Sequence, residues 1–358
     1  MNKKIIFTTG GTGGHIFPAI NLMNHFSEKG YNVLLVTDER GNNFLKKKNE
    51  IKTCILKTET TTNKNIFKKI LSFIVILNSI IKSFFILKKE KPNLILGFGG
   101  YVSFPISFAS KFFNIPLVIY ENNMVLGRAN KFLSSFSKKI FMAKKIGKNF
   151  PKKYENKVCV VGSILAKNII NFSPYNNRDE KNFSILVLGG SQGAEIFGEV
   201  IPHTISKIKN EKYEIEIMQQ CTMKQKNQLE NFYNKNKIKN YVFEFDKNIL
   251  RLITSTDLAI TRCGASTTAE LTHLITPFIA VPLPNSIDQH QHLNAKYYEE
   301  KGCCWLLNQD SFSNENLFNL IMQAIENKTK LEEMRNNMKK IHNKNVYKYI
   351  EEEIKEFI

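Results

Sequence analysis

The sequence predicts an α/β protein of two domains, each a parallel sheet wound with helices on both faces, with a central cleft between them. Three observations predict this. Two glycine-rich turns, Gly10-Gly11-Thr12-Gly13-Gly14-His15 and Gly189-Gly190-Ser191-Gln192-Gly193-Ala194, stand about 180 residues apart, each after an apolar strand-like run and before a helix-like one. Strand-like runs alternate with helix-length segments in both halves. A length of 358 residues with 42% hydrophobic content gives each half enough material for its own core.

The first half offers strands at Lys4–Thr9, Tyr31–Thr37, Leu94–Gly97, Leu117–Tyr120, Lys139–Met142 and Val158–Val161. A polar stretch, Asn171–Asn182, interrupts the pattern, and the domain boundary is expected near Gly162. It then restarts with Ser184–Leu188, Glu214–Met218, Tyr241–Phe245, Leu258–Thr261, Pro277–Val281 and Cys304–Leu307. The segment from Leu331 reads as charged helix with a solvated face, and the two-half pattern is the one internal repetition.

The six cysteines show no C-x-x-C spacing and no secretory signal precedes the first strand, so reduced thiols in a cytoplasm are expected. The net charge of +19 is lopsided: residues 1–160 carry 27 Lys+Arg against 8 Asp+Glu, and the remainder carries 24 against 24. An excess confined to one half suggests an anionic partner there. Nucleic acid would explain the charge, but the basic and aromatic residues are not interleaved as recognition motifs, so no nucleic-acid partner is expected.

Ile66–Lys89 reads as an apolar helix with a polar stripe of Lys68, Ser72, Ser79 and Lys82. Its longest uncharged run, Ile70–Ile81, is twelve residues, short of the roughly 20 that span a bilayer, which argues against a transmembrane helix. Two roles remain open: burial against the sheet, or a helix whose Phe84, Phe85 or neighbours dip into an anionic membrane surface.

A strand turning through glycines into a helix leaves N–H groups unpaired at the positive helix end, a ready site for phosphate. A dinucleotide fingerprint is excluded at the first turn even though Asp38 ends the second strand, because Ile16 stands where the third glycine belongs. A Walker loop is excluded because no Gly-Lys-Ser/Thr follows. His15 falls at a helix start, where the dipole favours the neutral ring; a general base and a capping or positioning role both fit. In the second half Arg262-Cys263-Gly264-Ala265-Ser266-Thr267-Thr268-Ala269-Glu270 repeats the strand, glycine, helix step. Its small residues admit a diphosphate, Ser266 and Thr267 add donors, and Glu270 either accepts both ribose hydroxyls or is buried and paired. Asp288 to Ala295 gathers amides and imidazoles suited to sugar hydroxyls, without a third ligand for a metal.

Together GGTGGH, GFGGYVSFP at 97–105, ENNxxxGxxNK at 121–131, GGSQGA at 189–194, RCGAxTxAE at 262–270 and HQxxNA at 290–295 resemble the bacterial peptidoglycan glycosyltransferases that make lipid II. These transfer N-acetylglucosamine from its UDP form to undecaprenyl-pyrophosphoryl-muramoyl-pentapeptide. The resemblance covers nearly the whole chain in order. It implies two Rossmann-like domains in the GT-B arrangement, inversion at the anomeric carbon, no metal and no cofactor. Residues 1–162 become the acceptor- and membrane-facing domain, and 163–358 the UDP-sugar domain, with the last helix packing back on the first. The enzyme is expected peripherally at the cytoplasmic face of the inner membrane, with UDP-N-acetylglucosamine, the lipid-linked acceptor and an anionic membrane surface as partners. A UDP-N-acetylglucosamine epimerase or another lipid glycosyltransferase is the alternative within the same architecture.

Carried over by position, the resemblance places Thr12, Gly13, Gly14, Asn123, Ser191, Glu270 and Gln291 around the UDP-sugar, with Ala265, Ser266, Thr267, Thr268 and Ala269 lining the nucleotide. His15 becomes the candidate that deprotonates or orients the muramoyl hydroxyl. Gln291 would hold the N-acetylglucosamine, and Asp246 would meet uracil through its backbone. Three positions depart from the family: Ala166 stands in place of an arginine, with Lys167 beside it; Asn122 replaces a glutamine; and Gln289 replaces an acid. A lysine would lack the bidentate fork of the arginine.

Overall fold

A computed structural model describes residues 3–11, 13–45, 52–58, 66–145, 150–172, 182–190, 194–341 and 345–358. It divides into two units, Met1–Ala166 with Asn343–Ile358, and Lys167–His342. In chain order the first unit holds β1 (Lys4–Thr8), α1 (Gly13–Glu28), β2 (Asn32–Thr37), α2 (Glu39–Leu45), β3 (Thr53–Ile55), α3 (Ile66–Glu90), β4 (Leu94–Gly97), α4 (Ser103–Ser110), β5 (Leu117–Glu121), α5 (Arg128–Leu133), β6 (Lys139–Met142) and β7 (Val158–Val160). The second holds α6 (Lys167–Ile170), β8 (Phe183–Leu188), α7 (Glu195–Asn210), β9 (Ile215–Gln220), α8 (Met223–Lys235), β10 (Lys239–Phe243), α9 (Ile249–Ser255), β11 (Leu258–Thr261), α10 (Ala265–His273), β12 (Phe278–Ala280), α11 (His290–Glu300), β13 (Cys304–Leu306), α12 (Asn314–Glu326) and α13 (Lys328–Lys340). α14 (Val346–Ile354) then belongs to the first unit again.

Both sheets are parallel throughout, ordered β3-β2-β1-β4-β5-β6-β7 and β10-β9-β8-β11-β12-β13. In each the strand order reverses beside the unit's first long strand, between β1 and β4 and between β8 and β11. Ligands of open α/β sheets bind outside the carboxyl ends of the strands at that reversal. Each glycine-rich turn of the sequence leaves one of those two strand ends. β3 is the strand that sequence reading passes over; three residues beside lysines carry too little alternation to register.

The strands of the first unit are apolar at successive positions because both faces are covered. Ile5, Phe7, Leu94 and Leu96 pack on one face with Ile16, Ala19, Ile20 and Met23 of α1, and with Val346, Ile350 and Ile354 of α14. Ile6, Ile95, Leu117 and Ile119 pack on the other with Leu87, Ile106, Ala109 and Leu133 from α3, α4 and α5. α14 is further tied by Glu351 to the buried His25, by Glu353 to Lys139 at 2.8 Å, and by the Tyr347 hydroxyl donating to the Leu165 carbonyl, and Glu356 just after it also meets Lys139 at 2.8 Å. The second unit has its own core around Ile185, Val187, Ile260, Phe197 and Ile201.

α3 reverses the usual helix polarity. Its buried residues are Ser72, Ser79, Ser83 and Leu87, at helical spacing, while Phe67, Ile70, Phe73, Ile74, Ile81 and Phe85 are exposed. Ser79 donates to the carbonyls of Val75 and Lys57, and Ser83 to that of Ser79 at 2.7 Å, which satisfies the hydroxyls inside. The serines of the expected polar stripe thus face the protein, Lys82 is exposed, and the side chain of Lys68 lies outside the described residues. Phe84 turns inward onto Phe112 and Phe113. The argument against a membrane span from the twelve-residue run is also corrected: Ile70–Glu90 is 21 residues long and apolar enough to cross by length and composition, with 22% buried. Lys82 inside it does not break the run, because its long stem reaches for polar surroundings, and Lys88 and Lys89 stand at its end.

Candidate active site

In the first unit the two glycine turns meet backbone to backbone. Gly100 has φ +80°, and a Cβ there would lie 2.6 Å from the Gly10 carbonyl oxygen, so no side chain fits. Gly99, at φ +82°, faces the His15 ring; a Cβ would sit 3.3 Å from His15 Cε1 and from Asn130 Nδ2. His15 is therefore held as the third residue of α1, beside the β1–β4 reversal, against the loop that follows β4.

Pro18 shapes the same corner. Lacking an N–H, it leaves the carbonyl of Gly14, four residues earlier, without its helical donor. Asn122 Nδ2 donates to that carbonyl at 3.3 Å. The Tyr120 hydroxyl, within hydrogen-bond reach of Asn122, receives the Ile164 N–H at 3.1 Å and donates to the Gly162 carbonyl at 3.2 Å. Asp38, which could pass for a ribose acid, accepts from the Gly41 N–H at 2.7 Å and braces the turn at Gly11.

Glu121, which sequence reasoning left unassigned, organises the next loop. Fully buried, its carboxylate accepts from the Asn123 N–H and Asn123 Nδ2 at 3.1 Å each, the Gly127 N–H at 2.9 Å and Asn130 Nδ2 at 3.0 Å. The four N–H donors satisfy the buried side chain, which in turn fixes Asn123 and Asn130 in the loop beside Gly99. The signal was available: an acid ending the apolar strand Leu117–Glu121 has to find donors. Thr12 lies outside the described residues; Gly13, Gly14, His15 and Asn123 are brought to this one corner.

In the second unit β8 runs into Gly189-Gly190, with Gly190 at φ +80°, and Ser191 lies outside the described residues. Beside it β11 leads into α10, whose cap is Gly264 with no side-chain hydrogen bond to the helix start. The first N–H groups, on Ala265, Ser266 and Thr267, are thus offered by a small-residue turn. Thr268 and Ala269 are buried, the Thr268 hydroxyl donates back to the Gly264 carbonyl at 3.0 Å, and Ser266 and Thr267 are half-buried. Glu270 is one turn further on and half-buried; desolvation pushes its carboxyl up to about 7.

The HQxxNA motif clamps this turn. Gln291 Oε1 accepts from the N–H groups of Cys263 at 3.2 Å and Leu283 at 3.0 Å, while Asn294 Nδ2 donates to the Cys263 carbonyl at 3.2 Å. The Gln291 clamp thus uses its Oε1. The loop before α11 holds Asp288 and Gln289 in the left-handed region, at φ 50° and 53°, a cost of about 1–3 kcal/mol per residue that clusters at functional sites. Arg262 ties the strand ends together, donating to Val281 O, Pro282 O and Gln309 Oε1 and stacking on Phe197. Asp246 stands apart, after edge strand β10. Its carboxylate accepts from the Tyr241 hydroxyl at 2.7 Å and the Asn248 N–H.

Comparison with known proteins bears on the family and the fold. Residues 5–142 match the glycosyltransferase family 28 N-terminal domain, and residues 184–352 its C-terminal domain. The chain is 37% identical over 350 residues to the UDP-N-acetylglucosamine–N-acetylmuramyl-(pentapeptide) pyrophosphoryl-undecaprenol N-acetylglucosamine transferase of Pelagibacter ubique, covering 98% of this chain and 97% of that protein. A crystal structure of Acinetobacter baumannii MurG superposes with a TM-score of 0.82 at 26% identity, over 99% of each chain. A Listeria monocytogenes structure described as a UDP-N-acetylglucosamine 2-epimerase, at TM-score 0.69 and 12% identity over 99% of this chain and 98% of that one, shares the fold alone. Two matching domain families and a full-length relative leave one conclusion: the chain belongs to glycosyltransferase family 28.

Proposed function

We propose that the protein transfers N-acetylglucosamine from UDP-N-acetylglucosamine to the muramoyl hydroxyl of the undecaprenyl-pyrophosphoryl pentapeptide, inverting the anomeric carbon. The observation that carries the reading is the β11–α10 turn: a small-residue helix start with Glu270 one turn behind it, clamped by Gln291 and Asn294. Such a turn fits a nucleoside diphosphate. The α10 N–H groups with Ser266 and Thr267 meet the diphosphate, Glu270 accepts the ribose hydroxyls, the Asp246 backbone meets uracil, and Gln291 Nε2 donates to the sugar. Thr12, Gly13, Gly14, Asn123 and Ser191 complete the donor contacts.

In the transfer the acceptor oxygen forms a bond to the anomeric carbon as the bond to the phosphate oxygen breaks. UDP leaves with the electron pair, and the hydroxyl proton passes toward His15. Helix-end dipoles and hydroxyl donors stabilise the charge on UDP in place of a cation. Turnover is expected to be unchanged in EDTA; loss restored by Mg²⁺ would overturn this account. The deciding experiment is incubation of the purified protein with radiolabelled UDP-N-acetylglucosamine and the undecaprenyl acceptor. Labelled lipid product is expected, and conversion of the sugar nucleotide in the absence of acceptor would favour an epimerase instead.

The raised carboxyl of Glu270 gives the donor site a pH dependence. The carboxylate is the form that accepts two hydroxyls, so UDP affinity should fall as pH drops through about 7, and Glu270→Gln should flatten that dependence. The sign for stability is opposite. The folded state keeps the proton up to about pH 7 while the unfolded chain releases it near its ordinary value, so the cost of burying charge is present above about pH 7 and absent below about 4.5. Glu270→Gln should therefore raise Tm on the alkaline side only, as differential scanning calorimetry would read.

The outward apolar face of α3, within a half of the chain that holds all of the net positive charge, supports peripheral attachment to an anionic membrane as the route to a lipid-linked acceptor. Ile74 and Phe85 are 56% and 69% exposed. Replacing both with serine is expected to weaken sedimentation with anionic vesicles by about tenfold or more while leaving UDP affinity unchanged. Unchanged sedimentation would remove α3 from that role.

A further inference from the structure

The turn of α1 that carries His15 depends on a donor from another part of the chain. Pro18 lacks the N–H that would bond to the Gly14 carbonyl, and Asn122 Nδ2 donates in its place at 3.3 Å. A carbonyl only accepts, so the Asn122 amide is fixed with its nitrogen toward Gly14 and its Oδ1 toward Tyr120. The Tyr120 hydroxyl lies 3.2 Å from that Oδ1. It has one proton and faces a second acceptor at the same distance, the Gly162 carbonyl at 3.2 Å, while its oxygen accepts from the Ile164 N–H at 3.1 Å. Tyr120 and Asn122 are each 3% exposed, so these bonds are shielded from bulk water and strengthened by the low local dielectric.

The ring beneath the hydroxyl is held as well. It packs on Phe98 at 5.4 Å between centroids, and Phe98 stacks on Phe7 of β1 at 6.2 Å. Phe98 directly precedes Gly99, the residue that faces the His15 ring, and at the same corner the Tyr120 carbonyl accepts from Asn130 Nδ2 at 3.1 Å. The hydroxyl thus stands on a packed base and reaches the start of α1 through a single amide. Core packing alone requires only the ring, as the buried Phe7 and Phe98 beside it show. What the hydroxyl adds is order in the two segments it bonds.

We propose that Tyr120 is a positioning residue for the transfer: through Asn122 its hydroxyl fixes the Gly14 carbonyl, and with it the α1 turn that presents His15. The proposal rests on the transfer reading above and names what sets His15 in place. The same hydroxyl also secures Gly162 and Ile164, shortly before the first unit ends at Ala166, and the test separates these two roles. Tyr120→Phe, Asn122→Ala and the double variant are compared in the full-length protein. In each single variant kcat is expected to fall by about tenfold or more, with KM for UDP-N-acetylglucosamine within about twofold of the unaltered value. The double variant should lose no more than about twofold beyond the worse single, because both substitutions break one path. The Cε1–H proton resonance of the His15 ring, assigned from its absence in His15→Gln, should move in the same direction in both single variants, which lowered global stability does not produce in the folded protein. Near-normal kcat in Asn122→Ala beside an impaired Tyr120→Phe would assign the hydroxyl to Gly162 and Ile164 and overturn the proposal. Losses that multiply in the double variant, or a His15 resonance unmoved in Tyr120→Phe, would overturn it too. If Tyr120→Phe does not fold, Asn122→Ala decides: lowered kcat with a moved resonance supports the path, and normal kcat with an unmoved one overturns it. Absence of product from the unaltered protein would instead sink the transfer reading, while the resonance still tests the link from Tyr120 to His15.

Discussion

Glu121→Ala is expected to destabilise the first unit by about 3–5 kcal/mol, because it strips one buried carboxylate from four N–H donors. Glu121→Gln should recover only part of that, since its amide presents a second donor to groups that are themselves donors. Chemical denaturation read by hydrogen exchange of the first-unit strand amides would report the change. A loss below about 1 kcal/mol would show that Asn123 and Asn130 hold the loop without the carboxylate. Transfer activity should fall further than stability alone explains, because the same loop sets the corner occupied by His15.

The second large effect is expected at His15 itself. His15→Ala should lower kcat by on the order of 10² to 10⁴ with a smaller change in KM for the sugar nucleotide. The pH profile separates two roles. A base loses activity as the ring protonates on the acid side, and that limb disappears in His15→Gln along with most of the rate; a positioning ring leaves His15→Gln active with its acid limb retained. Retention of near-normal kcat in His15→Ala would move proton transfer away from this residue.

Much of the architecture was legible because both sheets are buried on two faces, so their strands stand out as short apolar runs bounded by glycine and proline. The glycine turns were legible too, since only a close backbone approach such as that of Gly100 on Gly10 demands so many residues without a Cβ. Other features depend on partners distant in sequence. Nothing local to Ile66–Glu90 says that its serines point inward; that orientation follows from what α4 and the carbonyl of Lys57 offer. Asn122 reads as a replacement for glutamine until Pro18, more than a hundred residues earlier, is seen to free the carbonyl it serves. Glu121 was overlooked for a related reason: an acid next to two asparagines looks like part of a polar loop, and only the folded backbone supplies its donors. Asn294 belonged to a recognised motif, yet its partner, the Cys263 carbonyl, was set by tertiary folding alone.

The return of α14 to the first unit has a consequence for biogenesis. Domains synthesised early ordinarily fold while the remainder is still being translated. Here the apolar surface that α1 shares with Val346, Ile350 and Ile354 stays uncovered until the chain as far as Ile354 has left the ribosome. The nascent first unit is therefore a natural client for a chaperone, and truncations that remove only the last few turns should fail as insoluble protein before they fail as enzymes.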